Sequence, residues 1–328
     1  MAPSAAPASA GETTGGLSPE TVAVLMCAQV VVGTRHPEDL WAAVAACPSA
    51  ERLCEEAVRQ GMLGHLCRVV GAPGDPVPAG EEARAEAVRE RLAQLYRQSA
   101  QRALSQTAYL LRILDDLHDA GIDALPMEGP VWAERLYGDV TLRHWDDLDI
   151  LVHYRQVSAA RDRLLAAGFR DWIPWNPRIM RYARRGGGEV ALVNAADNAL
   201  WVDLHWQVGV GYGDATLETE ELLARAVPQT LMGRSVPSAA ARDLLLMTCL
   251  NGMRHGWGSV EMLLAVGVQV RDLQRDAWPA LLGAGREAGC ERRVAIAVSH
   301  TCHALGMVRP EGVDRAIAQD LVSRALLR

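Results

Sequence analysis

The chain has 328 residues, 49% of them hydrophobic and 22% charged, with a net charge of −7. That length allows two or three packed units around a large core. The acidic balance argues against a nucleic-acid binder working by bulk electrostatics, and no apolar run approaches the roughly 20 residues of a membrane span. All 33 basic residues are arginine, so no lysine amine can serve as a Schiff-base nucleophile or a compact phosphate-binding cation.

Residues 1–17 are small and polar and predict a disordered tail without a secretory apolar core. Seven cysteines with no CxxC pair complete the expectation of a reduced, cytoplasmic chain. Residues 18–120 predict a helical region. Ser18 caps a first helix with Pro19 at its first position, HPEDLWAAVAAC repeats that logic, and another helix follows Pro48. The Pro- and Gly-rich GAPGDPVPAG (residues 71–80) breaks the run. A long amphipathic helix follows, with Val88, Leu92, Leu95, Ala103, Leu110 and Leu114 on one face.

The texture changes over 121–213. IDALPM predicts a buried strand, VWAERLYG a helix, DDLDILVH a strand and YRQVSAARDRLLAAGF a helix. RIMRYARR and EVALVN around Gly186–Gly188 predict a hairpin, and ALWVDLHWQV a last strand. Residues 214–328 predict a second helical region. The fold class is therefore α+β, with a small mixed or antiparallel sheet between N-terminal and C-terminal helical regions.

Strand alternation places Leu148, Ile150 and Val152 on one face, with Asp147 and Asp149 together on the other. Two such carboxylates repel unless a cation lies between them, and hard divalent ions prefer carboxylate oxygen. In WVDLHW, Asp203 shares a face with Trp201 and His205, which makes Asp203 the natural third carboxylate if the two strands are neighbours. Three carboxylates holding divalent metal suit phosphoryl-group chemistry. The plain alternatives are a solvated acidic strand end for Asp147 and Asp149, an ion pair with Arg178 or Arg181 for Asp203, and a satisfied buried histidine for His205. Arg143 has the alternative of a surface pair with Asp139 or Asp146. Asp146 faces away from the pair, as a local cap or ion-pair partner. Trp132, Trp145, Trp172, Trp175 and Trp201 predict packing, with a base or substrate ring as the alternative for one or two. SHTCH, with His300, Cys302 and His303, lacks a fourth metal ligand.

The ordered set MEGPVWAERLYGDVTLRHWDDLDILV, AARDRLLAAGF, VDLHW and RHGW resembles an uncharacterised bacterial nucleotidyltransferase-like family of the polymerase-beta-type nucleotidyltransferase superfamily. Gly129, Tyr137, Gly138, Arg143, Asp147, Asp149, Asp203, His205 and Trp206 carry the resemblance, over roughly residues 121–210. It implies that Asp147, Asp149 and Asp203 hold Mg²⁺ or Mn²⁺ and that the Gly129 turn approaches a triphosphate. The implied partners are an NTP donor and a small-molecule or peptide acceptor, in a setting of bacterial specialised metabolism. Such families usually carry lysine before the glycine, and here Glu128 stands there. Arg135 and Arg143 are the nearest compensating cations. Glu128 itself reads as a helix-start acid, a general base or an extra metal ligand. Its presence also motivates the alternative of a catalytically retired or repurposed fold, binding a nucleotide or partner or using a non-nucleotide donor. Such families often carry an aspartate in the helix after the histidine, where this chain reads LLAVGVQV.

Overall fold

A computed structural model describes residues 16–71, 77, 80–174, 176, 188–209 and 217–326. Four short helices open the chain: α1 (Pro19–Val32), α2 (Pro37–Ala46), α3 (Ala50–Arg59) and α4 (Leu63–Val70). The expected cap forms, because the Ser18 hydroxyl accepts from the Thr21 N–H and satisfies an otherwise orphaned donor. The 38-residue helix α5 (Glu82–Asp119) follows and buries Val88, Leu92, Ala103, Leu110 and Leu114, the face expected from their spacing.

The middle of the chain alternates β1 (Ala124–Pro126), α6 (Gly129–Tyr137), β2 (Asp147–Val152), α7 (Val157–Ala166), β3 (Phe169–Asp171), β4 (Glu189–Asn194) and β5 (Trp201–His205). These strands form one mixed sheet in the order β1-β2-β5-β4-β3. Only β2 and β5 run parallel. The first arm of the expected RIMRYARR hairpin lies outside the described residues, and β4 pairs instead with β3 and β5. Strand β3 itself extends the end of what the sequence presents as a helix stopped by Gly168.

After α8 (Thr219–Ala224) come β6 (Val227–Leu231) and β7 (Arg234–Ser238), then α9 (Ala241–Arg254), α10 (Val260–Asp272), α11 (Trp278–Glu287), α12 (Glu291–Leu305), α13 (Glu311–Gln319) and α14 (Leu321–Leu326). The β6–β7 hairpin interrupts the region that the sequence presents as helical after 214. Its two-residue turn, Met232-Gly233, has φ of 48° and 77°. That conformation matches the twist of paired strands but is rare for methionine. Pro228 and Pro237 further mask the strand pattern. Helix α9 ends as the glycines of RHGWGS suggest. Trp257, at φ 55°, folds its ring over Gly252, where a Cβ would stand 2.4 Å from it.

One face of the main sheet buries Leu148, Ile150, Val152, Val202, Leu204 and Trp206 against the C-terminal half of α5 and against α7. On the other face, Leu125, Met127 and Leu151 pack into a core built by α9 to α13. The N-terminal helices share a third core with Val260, Leu264, Val268 and Leu305 from α10 and α12. Polar contacts lock that junction. The Gln60 side chain accepts from the Val260 N–H at 2.8 Å, and the Thr34 hydroxyl donates to the Leu305 carbonyl at 2.6 Å. No helix among the described residues is long and apolar enough to cross a membrane.

His65 on α4 sits inside this packing, 2% exposed, its ring edge-on to Tyr137 at 4.5 Å. Burial, with Arg68 adding to it and Asp139 opposing, pushes its pKa down to about 4. The unfolded imidazole protonates near 6.5, so neutral His65 supports the fold fully above that value, and the support is lost as pH falls from 6.5 through 4. His65→Leu should flatten the acid side of the stability profile. The difference between variant and parent, from urea titrations at pH 7 and pH 4, is expected to change by about 3 kcal/mol; equal slopes would show that His65 titrates normally.

Candidate active site

The site is built on the register of β2 and β5. Asp149 lies opposite Asp203 and Leu151 opposite His205. Alternation then puts Asp147, Asp149, Asp203 and His205 on one face, with the apolar residues between them buried behind. One ligand atom from each of Asp149, Asp203 and His205 lies within 4.8 Å of the others. In this tightest grouping His205 stands where the sequence suggests Asp147, which remains on the same face two residues before Asp149. SHTCH on α12 does not assemble a comparable group: Cys302 is buried and both histidines are exposed.

His205 Nε2 is 2.7 Å from an Asp149 oxygen, and Nδ1 is 3.3 Å from Glu189 on β4. Burial alone would favour the neutral ring. The Asp149 hydrogen bond and the charges of Asp149, Glu189 and Asp203 overcome it and raise the pKa to about 9. Asp203 is raised to about 7 by burial first and then by Asp147 and Asp149. Asp147 is raised to about 6 by burial, Asp149 and Asp146. Asp203 Oδ1 is buried without a hydrogen-bond partner. An orphaned carboxylate oxygen beside two more anionic groups suits a divalent cation, and the His205 imidazole can join the donor set only by giving up the proton that these carboxylates stabilise. Arg178 and Arg181, the alternative partners for Asp203, lie outside the described residues.

Glu128 reaches this cluster through the backbone. The Met127 N–H donates to the Asp149 carbonyl at 3.0 Å and carries the chain alongside β2. Gly129 then opens α6 at φ 59°, a conformation costly for any side chain, with the Trp145 ring 3.5 Å from where a Cβ would stand. Glu128 is the residue before the helix, yet its carboxylate makes no cap. It accepts instead from Arg143 at 3.2 Å and from the Asn251 amide at 3.0 Å. Burial and Asp149 raise its pKa to about 7, against the lowering pull of Arg143.

Arg143 does not form the surface pair that stood as the alternative to a phosphate role. It is 7% exposed and contacts neither Asp139 nor Asp146. It lies 5.5 Å over the Trp132 ring and donates to Glu128 and, at 2.9 Å, to Glu261 of α10, which also accepts from the Tyr137 hydroxyl. Asp139 bonds Thr141, and the exposed Asp146 pairs with Arg102 and His144. Arg135 is exposed and bonds Gln229 of the β6–β7 hairpin, so the fold does not bring it to the acids. Trp132 and Trp145 are buried as packing predicts. Trp201 shares the site face, its ring meeting the half-exposed Trp172 at 4.8 Å; Trp175 lies outside the described residues.

A cleft opens beside Asp149, His205 and Glu128. Its walls include Glu128, Asp149, Glu189 and His205 from the sheet side, and Met247, Asn251, Arg254 and Arg293 from α9 and α12. Glu189, Asn251, Glu261 and Arg254 were not marked by any local sequence pattern, since each meets a partner far along the chain, and nothing local marks Arg293. A larger groove of about 1020 Å³ lies elsewhere, between the end of α5, β1 and the β6–β7 hairpin, and none of the site acids lines it.

Residues 48–306 match the model of a family described as uncharacterised nucleotidyltransferase. The chain belongs to this nucleotidyltransferase family. It is accordingly a nucleotidyltransferase-like transferase, and the matched span contains every site residue named above. No curated protein matches the chain significantly in sequence. The chain is similar to the solution structure of the antibiotic-resistance factor ANT(2'')-Ia, at 14% identity over 61% of this chain and 98% of that one, TM-score 0.41. The crystal structure of ANT(2'')-Ia with adenylyl-2''-tobramycin gives 14% identity, 56% and 98% coverage and TM-score 0.41. Lincomycin-bound lincosamide antibiotic adenylyltransferase LnuA gives 16%, 42% and 82%, with TM-score 0.30.

Proposed function

We propose that this nucleotidyltransferase transfers a nucleoside monophosphate group from an NTP to a small-molecule or peptide acceptor, in bacterial specialised metabolism, with Mg²⁺ or Mn²⁺ as cofactor. The observation that carries this is the register of Asp149 against Asp203, with a buried Asp203 oxygen that lacks a partner. Asp149, Asp203 and His205 would hold the cation, with Asp147 beside them. The cation would supply Lewis-acid polarisation of the donor phosphate.

The chain's own residues account for the rest of the reaction. The Gly129 turn lets backbone N–H groups at the start of α6 approach the triphosphate. An acceptor oxygen attacks the α-phosphorus, the bond from that phosphorus to the bridging oxygen breaks, and pyrophosphate departs with the electron pair. Glu128 takes the acceptor proton. Its position on the cleft wall and a pKa near 7 suit a base working around neutrality. Arg143 acts behind it, holding the carboxylate in place.

Mass spectrometry of candidate acceptors incubated with Mn²⁺ and each NTP tests the reaction, since an added NMP differs in mass from a sugar or other group. A non-nucleotide adduct would identify a repurposed fold. Absence of metal-dependent nucleotide binding in a calorimetric titration would identify a retired one. Glu128→Gln should lower kcat about a hundredfold or more with nucleotide affinity unchanged. Glu128→Lys should lose both activity and stability, because the new ammonium would face the buried Arg143; a gain in NTP affinity instead would show that position 128 is simply a lost phosphate contact.

A further inference from the structure

A triphosphate brings several negative charges into a cleft whose walls already carry Glu128, Asp149 and Glu189. The chain contains no lysine, so arginine must balance them. Arg135 is turned to the hairpin. Arg143 also has a buried Nη1 without a partner, but it is held between two carboxylates and does not line the cleft. Arg254 lines the cleft but approaches Glu189 at 3.6 Å. Arg293, in the first turn of α12, is different. It lines the same cleft as Glu128, Asp149 and His205, and its Nη1 is enclosed without a hydrogen-bond partner. Among the described residues no carboxylate pairs with it. Its neighbour Arg292 points elsewhere, to Asp320 at 2.7 Å.

We propose that Arg293 is the cation that holds the phosphates of the donor, reaching them from α12 across the cleft from the Gly129 turn. The inference rests on the NTP reading above. A guanidinium offers a planar fork of donors that fits phosphate oxygens, and an enclosed nitrogen with no protein acceptor gains most from a ligand oxygen. The role passes to a helix outside the strand region because position 128, beside the turn, carries an acid. In the reaction Arg293 would steady the negative charge that grows on the departing pyrophosphate, and it moves no proton.

The test uses the full chain with Mg²⁺, the four ribonucleoside triphosphates and inorganic tripolyphosphate, which has phosphates but no base. Arg293→Met is expected to weaken tripolyphosphate and NTP binding about tenfold or more. Arg293→Lys should recover much of that loss, and Arg292→Met should change nothing. A folded Arg293→Met protein that binds tripolyphosphate like the parent overturns the inference and leaves the donor reading standing. A parent protein that binds none of these probes overturns both. Should the methionine variant not fold, phenylglyoxal labelling of the parent decides: tripolyphosphate should protect Arg293 from modification, and unchanged labelling at saturation overturns the assignment.

Discussion

Asp149→Asn is expected to abolish nucleotidyl transfer, lowering kcat/KM by about a thousandfold or more, since a metal's charge stabilisation in such a step amounts to several kcal/mol. Asp149 is coupled to most of the site. It pairs with Asp203 across the strands and bonds His205 at 2.7 Å, and its charge helps raise Asp147, Asp203 and Glu128. The fold should survive, because relief of repulsion with Asp147 and Asp203 offsets the lost bond to His205. The checks are Mn²⁺ binding by calorimetry, turnover once an acceptor is in hand, and the thermal midpoint. Full Mn²⁺ affinity in the variant would remove Asp149 from the ligand set.

Arg143→Met should instead strike the fold. Its removal leaves Glu128 and Glu261 facing each other with no cation between them, and Tyr137 bonded to an uncompensated carboxylate. Breaking such a buried pair costs about 3–5 kcal/mol. A urea titration measures this directly. Pairing the change with Glu261→Met should recover a large part of the loss, because the stranded charge is then gone as well. A variant of parental stability with weakened NTP affinity would return Arg143 to the phosphate role that its sequence position suggested.

Local chemistry was legible in the sequence. Alternation in DDLDILV and WVDLHW sorted acid from core on both strands, and Ser18 and Pro19 marked the first helix. What escaped was set by distance or masked by the residues themselves. Nothing near Arg143 points to Glu261, 118 positions later, and nothing near His205 points to Glu189 on a strand whose pairing the tertiary fold decides. The parallel pairing of β2 with β5 follows from the path through α7, β3 and β4, which periodicity does not encode. The β6–β7 hairpin hid behind two prolines and an unusual turn methionine. The family resemblance implied carboxylate ligands on these two strands, and the register of the sheet brings His205 together with Asp149 and Asp203.

The junction between the two ends of the chain has a consequence for synthesis. Gln60 meets Val260 and Thr34 meets Leu305, so the first helices complete their packing only against segments made 200 or more residues later. A nascent chain emerging from the ribosome can therefore pack α1 to α4 on one another and on α5, but the side of that core that meets Val260, Leu264, Val268 and Leu305 stays open until α10 and α12 have appeared. Contacts so far apart close slowly. The strands that carry the acids are made before the wall that bears Asn251, Arg254 and Arg293, and so the cleft cannot be enclosed until α12 is in place.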